Sequence, residues 1–131
     1  MPMDVYWAND EKTVIHTKSM GKWTWDEYHS ALDQIMTMFR EVDRRVDLNN
    51  IETPGSSMPP GSPQPHFERA TKIFPENAGM NVLVTSKLAA KFMLSIWSRL
   101  PGNKLGDAIQ VVGSLEEAYD LIEKDKVKRM Q

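Results

Sequence analysis

Asp26, His29 and Asp33 are spaced by three and four residues, which on an α-helix lines their side chains along one side. Two carboxylates and an imidazole so arranged are the start of an acid–base pair or of a divalent-metal site, and a metal-dependent enzyme is one reading of them. A solvated helix face carries the same charges, and no second histidine-rich motif supplies the missing ligands. His66, with Glu68 and Arg69, borders a loop and suits either an anionic ligand or simple exposure at a helix start. His16 falls in a predicted strand and reads as a half-buried residue with one ring nitrogen hydrogen-bonded. No nucleophile elbow, Walker loop or dinucleotide fingerprint is present: Gly21-Lys22 runs into Trp23 and lacks the preceding glycine of a phosphate-binding loop. With no cysteine, thiolate nucleophiles, disulfides and cysteine zinc sites are excluded. The expectation is a protein that is not an enzyme and carries no cofactor or metal.

The remaining polar chemistry lies in one stretch. From Glu52 to Pro65 there are five prolines, two glycines and three serines in fourteen residues. Prolines fix φ and remove donors, so this 52–65 segment is a loop that cannot join a sheet ladder, and it is longer than most connections in a compact domain. Such loops are functional or disordered. It contributes Ser56, Ser57, Met58 and Ser62, and the helix after it contributes His66 and Phe67; these are the candidate partner-binding, ligand-binding or phospho-switch residues.

The elements that hold this loop are legible from periodicity. Two extended segments, about Asp4–Ala8 and Thr13–Met20, flank a polar turn at Asn9–Lys12. Gly21–Leu32 then opens a helix: Thr24 and Glu27 form a capping box, and Trp23 and Tyr28 are placed for a hydrophobic staple. Tyr28, Leu32, Ile35, Met36, Phe39 and Val42 make one helix face apolar, so that face lies on a sheet. Val46–Ile51 begins like a strand but sets Asn49 and Asn50 where a central strand prefers Val or Ile.

After the loop, Gln64–Phe74 reads as a helix with Phe67, Ala70, Ile73 and Phe74 inward. Met80–Val84 is a short buried strand, and Ser86 can cap a helix with Leu88, Phe92, Met93, Ile96, Trp97 and Leu100 on one side, until Pro101-Gly102 breaks it. Ala108–Val112 is the last strand. Ser114–Glu117 repeats the capping-box pattern before a helix with Ala118, Leu121 and Ile122 inward and a basic tail at Lys124, Lys126, Lys128 and Arg129. The order is β-β-α-β-α-β-α-β-α, an α/β class with a mixed sheet and later parallel neighbours joined by right-handed crossovers.

At 131 residues the chain has the length of one domain, 1–131, and its formal net charge of −2 gives no general attraction to polyanions. Arg44-Arg45 and the basic tail lack interleaved aromatics on one strand face, so no nucleic-acid partner is expected. No apolar run approaches the roughly 20 residues that cross a bilayer, and no basic region followed by an apolar run opens the chain; a complete, cytoplasmic protein without a membrane span is expected.

The order of elements, with Gly21-Lys22-Trp23-Thr24-Trp25-Asp26-Glu27 opening the first helix and Ser114-Leu115-Glu116-Glu117-Ala118 opening the last, resembles the SpoIIAA-like, STAS-type domains, in particular small stand-alone bacterial ones. The resemblance implies a non-enzymatic regulatory module of the kind found in anti-sigma-factor antagonists. Such a module docks on a partner kinase around the start of the helix after the third strand. It also implies a serine there whose phosphorylation ejects the partner. The matching region is the proline-rich loop, and Ser62 is the best placed of Ser56, Ser57 and Ser62, either as phosphate acceptor or as helix cap. Where the family has a short Asp-Ser turn, this chain has Pro54-Gly55-Ser56-Ser57-Met58-Pro59-Pro60-Gly61-Ser62-Pro63.

The alternative is a carrier or sensor of a small apolar or anionic ligand. The chain has nine methionines; Met36, Phe92, Met93 and Trp97 match inward spacing, whereas Met38 and Met58 do not. A loop folded over a groove between the first two helices would shelter an apolar molecule such as an acyl chain. Apolar area around Trp7 and Trp97 also suggests a homodimer.

Overall fold

The apolar residues change period from two to about 3.6 and back along the chain, and the backbone follows that change. In the computed structural model, which describes residues 3–97 and 108–130, a five-stranded mixed sheet is built from β1 (Met3–Trp7), β2 (Val14–Ser19), β3 (Val46–Glu52), β4 (Ala78–Val84) and β5 (Gln110–Val112). Four helices accompany it among the described residues: α1 (Trp25–Arg40), α2 (Gln64–Ile73), α3 (Lys87–Trp97) and α4 (Leu115–Arg129). The strand order in space is β1-β2-β3-β4-β5, with β1 antiparallel to β2 and every later pair parallel.

α1 starts where its cap chemistry directs. Thr24 is extended and its Oγ1 accepts from the Glu27 amide at 3.1 Å, while the Thr24 amide donates to Glu27 Oε1 at 3.0 Å. Trp23 and Tyr28 meet with ring centroids 6.1 Å apart, closing the staple. The helix buries Ala31, Leu32, Ile35, Met36 and Phe39 against Ile15, Val46 and Leu48. Burial of a side chain as large as Phe39 or Ile35 contributes about 1.5–3 kcal/mol, so this stripe anchors α1 to the sheet.

The other sheet face carries Val82, Val84 and Val112, which pack on Ala118 of α4. Here Ser114 caps α4, accepting from the Glu117 amide at 3.2 Å. Arg45, just before β3, bonds to Asp125 of α4 and ties that helix to the sheet. On this face His16 is buried, its Nε2 lying 3.0 Å from the Tyr119 hydroxyl and 3.3 Å from Asn49 Nδ2. Burial, and then the Lys18 charge, push the His16 pKa down.

Several expectations change. Leu88 and Phe92 of α3 point outward, 81% and 67% exposed, while Ala90 is buried. An i, i+4 apolar pair identifies a stripe but not which side of the helix the neighbours take. The side chains of Met93, Ile96 and Trp97, and Leu100, Pro101 and Gly102 altogether, lie outside the described residues. Trp7 is half-buried against the core on α1 rather than exposed. β5 begins at Gln110, two residues later than expected. The two asparagines do lie in a central strand, β3, for reasons that appear in the site.

Ser62 is not the cap of α2. Pro63 occupies that position and makes no side-chain cap bond, and Ser62 is exposed. The loop also makes one strand-like contact after all, a parallel bridge between Lys22 and Ser57 in which the Ser57 amide donates to Gly21 O at 2.8 Å.

Candidate functional site

The face of the sheet that receives α1 and α2 carries a polar strip where an apolar floor would be expected. Parallel pairing sets Thr17 of β2 opposite Asn50 of β3, and Leu48 opposite Asn81 of β4, so all four share that face. Thr17 Oγ1 donates to Asn50 Oδ1 at 3.1 Å; Asn50 Nδ2 donates to Asn81 Oδ1 at 2.7 Å and to the Val82 carbonyl at 3.2 Å. The polarity of this relay has one fixed end. A backbone carbonyl only accepts, so the end of Asn50 facing Val82 is its NH2. That leaves its oxygen toward Thr17, and turns the Asn81 oxygen toward Asn50.

Above the strip lies a cavity of about 50 Å³, roofed by Trp23, Tyr28, Leu32, Met58, Phe67 and Phe74 and floored by Thr17, Asn50 and Asn81. About 10–15 Å³ of such volume admits one water, so this space admits a few non-hydrogen atoms and not an acyl chain. Glu52 is the charged side chain among those lining it. Burial raises the pKa of the Tyr28 phenol, against a smaller lowering by Arg69, so the hydroxyl stays neutral.

The 52–65 loop closes one end. Gly55 and Gly61 both adopt positive φ, +86° and +98°, which lets the chain turn back toward the sheet on either side of Ser56–Pro60. Ser56 points inward: its Oγ accepts from Trp23 Nε1 at 3.2 Å and donates to Ser19 Oγ at 3.0 Å. Met58 is half-buried in the apolar cluster of Phe67 and Ile109 and lines the cavity. Trp25 Nε1 donates to the Pro60 carbonyl at 3.2 Å. Of the six candidate residues, Met58 and Phe67 line the cavity, Ser56 ties the loop to the sheet, and Ser57 and Ser62 face solvent.

His66 joins a separate cluster at the mouth of the α1–α2 interface. Its ring stacks on Trp25, centroids 4.0 Å apart and planes 6° from parallel. Its Nδ1 lies 2.8 Å from His29 Nε2, and Arg69 Nη1 lies 2.9 Å from His29 Nδ1. His29 thus turns to α2 rather than joining Asp26 and Asp33 around a metal, and among the described residues no three His, Cys, Asp or Glu groups converge as a metal site requires. Burial first, then Arg69 and His66, lower the His29 pKa, against smaller opposing effects of Asp26 and Asp33.

A second crevice, of about 450 Å³, opens at the carboxyl ends of β3 and β4 between Glu52–Ser56 and Val84–Ser86. Ser86 there caps α3 through the Ala89 amide at 3.2 Å, and Thr53 Oγ1 is bonded to Ser19 O at 2.8 Å.

Sequence reasoning missed Thr17, Asn50 and Asn81 as a site. The signal was present, since two adjacent asparagines in a central strand are unusual, but it becomes a site only when strand register adds Thr17 and Asn81. A search of protein families and of curated protein sequences returns no match to this chain. No helix among the described residues is long and apolar enough to cross a membrane.

Proposed function

We propose that this protein is a non-enzymatic binding module that holds a small molecule in the cavity between the sheet and the α1–α2 layer, with the 52–65 loop as its closing wall. The observation that supports this most is the cavity itself: a polar floor beneath an aromatic and methionine roof, the composition of ligand pockets generally. The roof includes Met58, so an occupant touches the loop, and the loop and start of α2 are where the SpoIIAA-like resemblance puts a regulatory contact with a protein partner. Of the ligand types considered from sequence, a long acyl chain is disfavoured by volume. An anion is disfavoured because Glu52 is the charged group in the lining. The test is native mass spectrometry of gently purified protein together with a Met58→Trp variant that fills the space. A small adduct on the wild-type protein that Met58→Trp loses supports the reading, whereas an adduct retained by the variant places binding elsewhere.

A second reading, the phospho-switch, draws support from one feature. α2 begins without a side-chain cap, and exposed Ser62 lies next to its first turn. A phosphate on Ser62 would supply both the missing acceptor and a charge favourable to the helix dipole. Phosphopeptide mapping from the source cell separates this reading from the first; an unmodified Ser62 under all growth conditions sinks it.

A further inference from the structure

The Asn81 amide is left with donors to spare. Its oxygen is committed to Asn50, and among the described residues nothing accepts from its Nδ2, although Asn81 is only 7% exposed and lines the cavity. The buried side-chain atoms without a partner among the described residues are Arg45 Nε and Asn49 Oδ1; Asn81 Nδ2 instead keeps accessible surface, so an oxygen brought by an occupant would replace solvent on it. Thr17, 3% exposed, has spent its hydroxyl hydrogen on Asn50, so toward the cavity it presents only oxygen lone pairs. The relay that ends on the Val82 carbonyl therefore gives the pocket a fixed sense, with donors at the β4 end and acceptor capacity at the β2 end.

We propose that the ligand is a small neutral molecule with a carbonyl-type oxygen, held by the Asn81 Nδ2 hydrogens with its apolar body against the aromatic roof; this rests on the cavity being the binding site. Neutrality follows from the lining. No Lys, Arg or His lines the space to balance a carboxylate, and Glu52 opposes one. Glu52 and the aromatic faces would by themselves favour a cation, but at the Asn81 end a cation meets amide hydrogens, which repel it, so a neutral oxygen is the group that suits that end. An all-carbon molecule of the same shape fills the space but leaves Asn81 unpaired.

The experiment uses four probes of near-identical shape, each with four non-hydrogen atoms: acetone, isobutene, acetate and isopropylammonium. They are titrated against the ¹⁵N-labelled protein and its Asn81→Leu variant. Acetone is expected to move the Asn81 side-chain NH2 resonances and to bind the wild type about tenfold more tightly than isobutene, the worth of one net hydrogen bond. In Asn81→Leu that preference reverses. If the variant does not fold, the response of the Asn81 NH2 pair in the wild type decides alone. Equal or tighter binding of isobutene, with shifts at Trp23, Leu32 and Leu83, overturns the carbonyl assignment and leaves the cavity reading intact. Acetate or isopropylammonium as the tightest binder overturns neutrality. If no probe moves the lining resonances, the space holds solvent only, and the cavity reading falls as well.

Discussion

His29 and His66 share one hydrogen bond, 2.8 Å from Nε2 to Nδ1 across the α1–α2 interface, and Arg69 dictates its direction. The guanidinium has only donors, so His29 Nδ1, 2.9 Å from Arg69, must accept. His29 then carries its hydrogen on Nε2 and gives it to His66 Nδ1. A protonated His29 would present a second N–H to Arg69 and break the chain of bonds.

The first prediction is a pH dependence. Because the His29 pKa is lowered in the folded protein, the unfolded chain binds the proton first as pH falls. Stability is therefore complete above the ordinary histidine value of about 6.5 and is lost as pH drops from there toward the lowered one. His16 shifts in the same direction and adds to the slope. Urea unfolding midpoints between pH 5 and 8 should fall on acidification, and His29→Gln, whose amide can both accept from Arg69 and donate to His66, should flatten part of that fall. An unchanged slope in His29→Gln would show that His29 does not contribute to it.

Trp25 links that cluster to the loop, stacking on His66 and donating to the Pro60 carbonyl. Trp25→Phe keeps a ring but removes the donor. A net hydrogen bond is worth about 0.5–1.5 kcal/mol, which raises the opened population of the loop roughly two- to tenfold. Limited proteolysis within residues 53–63 should accelerate by that factor while global unfolding changes little. Equal cleavage rates would mean that Trp25 does not restrain the loop.

Gly79 is fixed by its surroundings. A Cβ there would collide with the Asp47 carboxylate and the Arg45 guanidinium, and Asp47 is already held by the Met80 amide at 2.8 Å. Gly79→Ala should cost about 1–3 kcal/mol through overpacking, read as a lower urea midpoint. A neutral effect would mean that the Arg45–Asp47 pair yields freely.

What the sequence makes legible is local. Thr24 with Glu27, the Ile35–Phe39 stripe and the Ser114 cap depend on neighbours three or four residues away, and the helices they predict are present. Strand existence is legible for the same reason. The site is not, because Thr17, Asn50 and Asn81 belong to three strands and meet only through register, and His29 meets His66 only after α2 docks on α1. Leu88 and Phe92 mark the limit of periodicity: their spacing reveals an apolar face, and only tertiary packing decides that it points outward.

The uninterrupted strand order β1-β2-β3-β4-β5 has a kinetic consequence. Open α/β sheets usually receive ligands in a crevice where strand order reverses and successive crossovers diverge to opposite faces. A sheet whose order never reverses has no such switch point, and the crevice at the carboxyl ends of β3 and β4 lies between strands that are neighbours in sequence order. An occupant of the interlayer cavity would lie against Met58, so opening of the 52–65 loop would widen the space through which it enters and leaves. Association would then be timed by how often the loop opens rather than by diffusion to a surface, and release would be slow for a ligand of so few atoms.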